Sequence, residues 1–263
     1  MVESNTQLLK FVMIKKIKKL TSRHFPELSR TIYHKVNRIK YRGDEYYCPV
    51  CENSFRRFLT GPDDSRKNSK CPGCGSLERQ RLLWLYLKNK LQIEKQNLSI
   101  LNIAPDYAIQ TRLKKLKNIN YLSIDIDSDL AMEKHDLTNL SFANNSFDSI
   151  LCYHVLEHVE DDKKAMRELL RVLKPKGWAI LQTPIDKSLE KTFEDFTIRS
   201  PKEREKVFGQ SDHVRIYGLD YIERLRSAGF IVTIDNYVSQ LNNEEIHRCL
   251  IDKAEEIYFC IKP

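Results

Sequence analysis

At 263 residues, with 41% hydrophobic and 30% charged side chains, the chain has the composition of a folded protein and not of a disordered one. Its length suits one full α/β domain plus a small appendage. No apolar run approaches the roughly 20 residues of a membrane-spanning helix, and the stretch 8–20 is interrupted by Lys10, Lys15, Lys16, Lys18 and Lys19, unlike a secretory leader. A cytoplasmic location is expected. The formal charge of +8 is lopsided. Residues 1–42 hold eleven Lys/Arg against Glu3 and Glu27, while the remaining 33 basic and 34 acidic side chains nearly cancel. A near-neutral body argues against an enzyme that holds nucleic acid across its active face. The basic part is an arm, open to a phosphate backbone, to the inner face of an anionic membrane as a peripheral contact, or to no partner at all.

In chain order, residues 1–43 read as a basic helical arm, broken near Pro26, with Leu9, Val12, Met13 and Ile17 at helical spacing. Residues 44–76 form a cysteine module, and 77–97 a connecting helix from Leu77 to about Leu91 that carries Leu82, Leu83, Trp84, Leu85 and Tyr86. From 98 to 263 the pattern alternates strand and helix. Strands are expected at 98–103, 121–125, about 134–136, 147–153 and 178–182, with two more at 230–234 and 257–261. Helices are expected around 113–116, after a cap at Asp161 or Asp162 with Ala165, Leu169, Val172 and Leu173 on one face, and at 220–228 before Gly229. Pro175-Lys176-Gly177 separates the middle helix from the fifth strand, and 186–216 is an irregular insertion. Strands separated by helices imply α/β architecture with a parallel, doubly wound, Rossmann-like sheet of seven strands.

Cys48-Pro49-Val50-Cys51 and Cys71-Pro72-Gly73-Cys74 lie 19 residues apart. Two such turns can bring four thiolates to the corners of a tetrahedron, as in a zinc ribbon. A closed four-cysteine shell keeps no open position, so the expected Zn²⁺ is structural. Cys152, Cys249 and Cys260 sit in apolar or mixed surroundings and read as small buried hydrophobes.

Ser146-Phe147-Asp148-Ser149-Ile150-Leu151-Cys152-Tyr153-His154-Val155-Leu156-Glu157-His158-Val159, followed by Arg171-Val172-Leu173-Lys174-Pro175-Lys176-Gly177-Trp178, resembles the fourth strand, next helix and fifth-strand entry of class I S-adenosylmethionine-dependent methyltransferases. The whole chain also resembles a narrower bacterial group with an N-terminal zinc ribbon. That group shares Ile103-Ala104-Pro105 and a late segment like Phe208-Gly209-Gln210-Ser211-Asp212-His213-Val214-Arg215-Ile216-Tyr217-Gly218. Its members often lie among surface-polysaccharide genes, so the resemblance implies a sugar or glycan-linked methyl acceptor.

In open α/β sheets, ligands bind at the carboxyl ends of the strands. Asp125, closing the second strand, stands where a carboxylate would accept the ribose hydroxyls of S-adenosylmethionine; a local cap is its plainer role. The resemblance implies that Asp136 and Leu137 meet the adenine ring, and that Ala104, Asp106 and His154 line the path of the cofactor's amino-acid end. One departure stands out. The family's first loop is glycine-rich, whereas Asn102-Ile103-Ala104-Pro105-Asp106-Tyr107-Ala108 has no glycine.

Methyl transfer needs an aligned acceptor and, for a hydroxyl, a base, a task suited to histidine. His213, His154 and His158 are the candidates. His154-x-x-Glu157-His158 also puts three ligand-type side chains at i, i+3 and i+4 of a helical face. That pattern resembles the metal site of some ubiquinone-pathway and RNA-end methyltransferases, so with His213 it forms an alternative second site for Mg²⁺ or Mn²⁺. Arg199, Arg204 and Arg215 are candidates to hold an anionic acceptor. Two further functions compete with the glycan reading: an RNA methyltransferase, resembling rRNA guanine methyltransferases that also carry a zinc module, and a non-catalytic scaffold on the same fold.

Overall fold

The computed structural model describes residues 26–61 and 66–263; the expected arm helix over Leu9, Val12, Met13 and Ile17 lies outside them. Among the described residues, Pro26 opens a helix, and what precedes it lies outside them. Helix α1 spans Pro26–Lys40, where proline's missing N–H costs nothing. Strands β1 (Arg42–Cys48) and β2 (Asn53–Phe55) then pair antiparallel around the first cysteine turn. Helix α2 (Glu78–Leu85) runs on into a π-helical turn over Tyr86–Lys90.

The main sheet contains β3 (Leu98–Ile103), β4 (Ile119–Asp125), β5 (Glu133–Lys134), β6 (Phe147–Tyr153), β7 (Leu173–Gln182), β10 (Ile231–Asp235) and β11 (Ile257–Ile261). Their order across the sheet is β10-β11-β7-β6-β3-β4-β5. The five strands from β7 to β5 pair parallel. One strand corrects the all-parallel expectation: β11 runs antiparallel to both β7 and β10. The chain switches direction between β3 and β4 on one side and β6 on the other, and the crevice there opens at the carboxyl ends of the strands.

Between the strands lie α3 (Tyr107–Leu113), α4 (Asp162–Val172) and α6 (Tyr221–Ser227). The first begins earlier than the expected 113–116 helix because Asp106 caps it, its Oδ1 accepting from Ile109 N at 2.9 Å. Asp161 caps α4, accepting from Lys164 N at 2.9 Å. The fifth strand starts five residues sooner than expected, and its register shifts between Phe147 and Ser149, which absorbs Pro175-Lys176-Gly177. The third strand keeps only two residues, leaving Asp136 in the loop beyond it. Within the 186–216 insertion the chain forms β8 (Phe193–Glu194), α5 (Pro201–Phe208) and β9 (Arg215–Ile216). Helix α7 (Asn243–Cys249), not anticipated, precedes β11.

Alternate side chains of the central strands enter two apolar layers. Leu101, Ile150 and Ala179 face one, which holds α4 and α6. Ile100, Leu151 and Ile180 face the other, which holds α2 together with Phe55, Phe58 and the cysteine turns. The cysteine module is therefore part of the sheet domain's own core. Arg81, fully buried, joins them: it donates to Ser69 O (2.9 Å), Ser76 O (2.8 Å), Cys249 O (2.6 Å) and Leu250 O (2.8 Å). A buried guanidinium without an acid persists because its donors are matched to carbonyls.

Candidate active site

Four loops at the carboxyl ends of β3, β4, β5 and β6 enclose a cavity of about 780 Å³. Ala104, Asp125, Asp136, Leu137, His154 and His158 all line it. Six of the residues singled out from sequence thus converge. Ala104 has φ 47° and His154 φ 55°, both in the left-handed region that disfavours any residue with a Cβ. The glycine-free loop therefore keeps the backbone that glycine would favour, with the smallest side chain that has a Cβ.

Asp125 does two things. Its Oδ1 accepts from Asp127 N and Ser128 N, each at 2.9 Å, which folds the loop. Oδ2 takes no hydrogen bond among the described residues. The plainer loop-folding role thus occupies one oxygen of a carboxylate that also lines the cavity. Asp136 is exposed and its Oδ1 accepts from Thr138 N and Oγ1 at 2.8 Å, while the adjacent Leu137 is buried. A polar edge and an apolar face side by side suit a heteroaromatic ring. Asp106 is not part of this cavity. It caps α3 and lines a separate space with His34, Lys70 and Gln80, and burial raises its carboxyl above the usual range.

His154 also lines a second, smaller cavity of about 280 Å³ with Arg79, Gln182, Thr183, Glu255 and Tyr258. It is the one sequence-expected site residue common to both cavities. Its Nδ1 lies 3.2 Å from Glu157 Oε1, and Thr183 Oγ1 donates to Glu157 Oε2 at 3.0 Å. Burial works to raise the Glu157 carboxyl, but the adjacent His154 prevails and holds it below its ordinary value. The Oε1 contact has no aligned hydrogen bond, so the carboxylate meets the Nδ1 side of the ring by proximity and charge. The expected helical face over 154–158 is a single 3₁₀ turn at Leu156–His158.

Among the histidines, His213 is buried and lines neither cavity. Its ring packs edge-on to His158 at 4.7 Å, and burial, then the neighbouring His158, lowers its pKa. His158 Nδ1 is 3.3 Å from both the carbonyl and the carboxylate of Asp212. One donor atom from each of Glu157, His158 and His213 falls within 4.8 Å of the others. Of the four-residue divalent site, three members cluster and His154 stands aside.

Two of the insertion's three arginines are committed elsewhere. Arg215, 1% exposed, pairs with Glu194 at 3.0 Å and donates to the carbonyls of Leu156, Val159 and Glu160. It props the turn that carries His158. Arg204 pairs with Glu160 at 3.6 Å, and Arg199 is exposed outside both cavities. Two arginines line the second cavity, Arg66 of the cysteine module and Arg79 on α2; sequence reasoning passed over Arg79 because a connecting helix carried no chemical motif.

The two cysteine turns repeat one another. Glu52 N donates to Cys48 O, and Gly75 N to Cys71 O, both at 2.8 Å. Glu52 and Gly75, each following its second cysteine, have φ 54° and 80°. Their thiols converge: Cys48 and Cys74 Sγ are 3.6 Å apart, Cys51 and Cys71 3.7 Å, and all four lie within 4.8 Å. A zinc–sulfur bond of about 2.3 Å gives tetrahedral edges of about 3.8 Å, so the donor set fits that ion. Burial, then neighbouring sulfurs, push the Cys71 and Cys74 thiols well above their usual value, while Cys48 is drawn below its own against the effect of burial. Four sulfurs so close ionise together only around a cation.

The strand order, with an antiparallel seventh strand inserted beside the fifth, and the cavity over its switch point define a class I methyltransferase fold. Residues 89–181 match the family model described as a methyltransferase domain, within a sheet that has the class I methyltransferase strand order. An uncharacterized protein of Methanocaldococcus jannaschii is 43% identical over 65 residues, which are 24% of this chain and 28% of that one; the match spans little more than a quarter of the relative's length. Among solved structures, a putative methyltransferase from Bacillus halodurans is similar at 15% identity, covering 67% of this chain and 98% of the other with a TM-score of 0.42. An S-adenosylmethionine-dependent methyltransferase from Mesorhizobium loti is similar at 14% identity over 67% and 97%, with a TM-score of 0.47. No described helix is long and apolar enough to cross a membrane.

Proposed function

We propose that the chain O-methylates a hydroxyl of a sugar or glycan-linked acceptor, with His154 as the base. The observation that carries this reading is the position of His154 between the two cavities. S-adenosylmethionine supplies an electrophilic methyl group on its sulfonium. Asp125 Oδ2 accepts from the ribose hydroxyls, Asp136 and Leu137 meet the adenine, and Ala104 admits the chain of the cofactor past the first loop. In the smaller cavity, Gln182, Thr183, Arg79 and Glu255 offer donors and acceptors to a hydroxyl-rich acceptor. Glu157 lies against the Nδ1 side of the His154 ring; Nε2 would take the hydroxyl proton as the acceptor oxygen bonds the methyl carbon, whose bond to sulfur would break to release S-adenosylhomocysteine. His213 supports His158 from behind. The four cysteines hold a structural zinc ion that fastens the two turns together.

A second reading of the histidines is favoured by one observation, the compact Glu157/His158/His213 group with a buried Glu157 Oε1 that has no aligned hydrogen bond. In it a Mg²⁺ or Mn²⁺ ion sits there and orients the acceptor. The near-neutral charge of 43–263 continues to weigh against RNA.

Calorimetric titration with S-adenosylhomocysteine, with and without manganese, is the test, followed by methyl transfer to a panel of free and nucleotide-linked sugars. Binding without manganese, and turnover lost in His154→Gln but kept in His213→Gln, supports the first reading. Binding or turnover only with manganese supports the second. Binding with turnover on RNA but not on any sugar would overturn the acceptor class, and no binding in any condition would leave the scaffold reading.

A further inference from the structure

Helix α1 has its polar side inward. Among its described side chains, those it buries are His34 and Asn37, with Tyr41 just past its end. His34 Nδ1 is 3.2 Å from Pro72 O, its ring stacks on Tyr107 at 5.2 Å, and Thr31 Oγ1 reaches the Tyr107 hydroxyl at 3.2 Å. Facing outward instead are Ile32, Val36 and Ile39, 52%, 56% and 80% exposed, with Tyr33 beside them. Positions i, i+4 and i+7 form one helical stripe. Lys35, Arg38 and Lys40 are exposed on the same helix, and Arg42, Arg56 and Arg57 lie just past its end. Arg56 Nη2 donates to Lys40 O at 3.2 Å, and Arg57 lies 5.2 Å over the Tyr41 ring. The nearby exposed acids Asp44 and Glu45 offset only part of this charge.

We propose that this face of α1 docks the enzyme on an anionic lipid surface. An apolar stripe bordered by cations is the profile of a helix lying in a membrane interface, where the side chains enter the acyl boundary and the cations meet lipid phosphates. Charge selects this occupant over the others. A second copy would bring the same cations to the same face. Residues 1–25 hold six Lys/Arg against Glu3 and are of like sign too. Nucleic acid would satisfy the cations but offers no apolar medium for Ile32 and Ile39. Because the inner face of α1 grips Tyr107, the first residue of α3 and a neighbour of the cofactor loop, docking holds the catalytic domain itself at the surface and not merely a tether.

The test is co-sedimentation of the full chain with vesicles of phosphatidylcholine alone or mixed with phosphatidylserine, at low and high salt. Binding is expected only to the mixed vesicles and weakens with salt. The Ile32→Ser/Ile39→Ser variant should partition at least about tenfold less, with an unchanged circular dichroism spectrum and unchanged S-adenosylhomocysteine affinity. Light scattering should give the same mass for both proteins. Failure of the wild type to bind mixed vesicles overturns the proposal, as does equal binding by the variant, which would assign the attraction to residues 1–25. A dimer that the variant splits would assign the face to a second copy. Retention on single-stranded RNA tighter than on mixed vesicles, and unaffected by the two serines, would assign it to nucleic acid.

Discussion

Ala104 and His154 occupy equivalent places on neighbouring parallel strands: each is the first residue beyond its strand, each is left-handed, and each donates its backbone N–H outward across the sheet. Ala104 N reaches Ile124 O on β4, and His154 N reaches Gln182 O on β7, both at 2.8 Å. The pair splays the loops after β3 and β6 apart at the switch point, and the cavity of about 780 Å³ lies between them. Backbone strain concentrated at a binding cleft is what a site held open by its surroundings entails.

Replacement of Ala104 tests that strain. Ala104→Gly should leave stability unchanged or raise it by up to about 1 kcal/mol, since glycine removes the left-handed penalty while loosening the unfolded chain. Ala104→Val should cost more than about 1 kcal/mol, because a β-branched residue tolerates this conformation worst. Urea unfolding reads both; a glycine variant weakened by a kilocalorie or more would contradict the strain.

Asp125 separates two roles by atom. Asp125→Asn keeps an oxygen for Asp127 N and Ser128 N, so the loop should persist, yet it removes the charge that faces the cavity. We expect a fall of about tenfold to a hundredfold in S-adenosylhomocysteine affinity, the scale of a lost charge-assisted hydrogen bond, at nearly unchanged thermal stability. Equal affinity by calorimetry would show that the carboxylate serves the loop alone.

Arg81 ties the second cysteine turn to the end of α7. Arg81→Met would strand four buried carbonyls, at a cost of more than about 3 kcal/mol. The same variant should release zinc to a chromogenic chelator faster than wild type. A small change in the urea midpoint would mean that water replaces the guanidinium.

Glu168 sets part of the acid limit. Arg171, 2.8 Å away, holds its carboxyl below the ordinary value, burial opposes this, and Leu140 N adds a hydrogen bond. The folded state thus releases this proton at lower pH than the unfolded state. Its stabilisation is present above the unfolded carboxylate pKa of about 4.3 and disappears as pH falls through the folded value. Glu168→Gln should therefore lower stability at neutral pH and flatten its decline below about pH 5; a parallel decline in both proteins would rule out the contribution.

Much of the α/β domain was legible because its signals are local. Runs such as Ser-Ile-Leu-Asn-Ile and Phe-Asp-Ser-Ile-Leu-Cys-Tyr mark buried strands, and Asp161 marks a helix start wherever the chain lies. The cysteine pairs were legible for the same reason, since each turn closes on itself through one backbone bond. The exceptions are also instructive. Arg215 reads as a free cation in sequence but is buried against Glu194 and three carbonyls. His213, expected at the acceptor, sits behind His158.

By itself, then, the sequence determined the kinds and order of elements, the four paired cysteines, and the acidic residue at the end of β4, all of which depend on spacing along a few residues. The tertiary structure decided what spacing cannot carry: that β11 inserts antiparallel beside β7, that His154 and not His213 borders both cavities, that Arg79 reaches the second one, and that the cysteine module shares a core with the sheet. Each of these brings together residues tens of positions apart, through burial of apolar faces that could pack in several ways until the whole fold selects one.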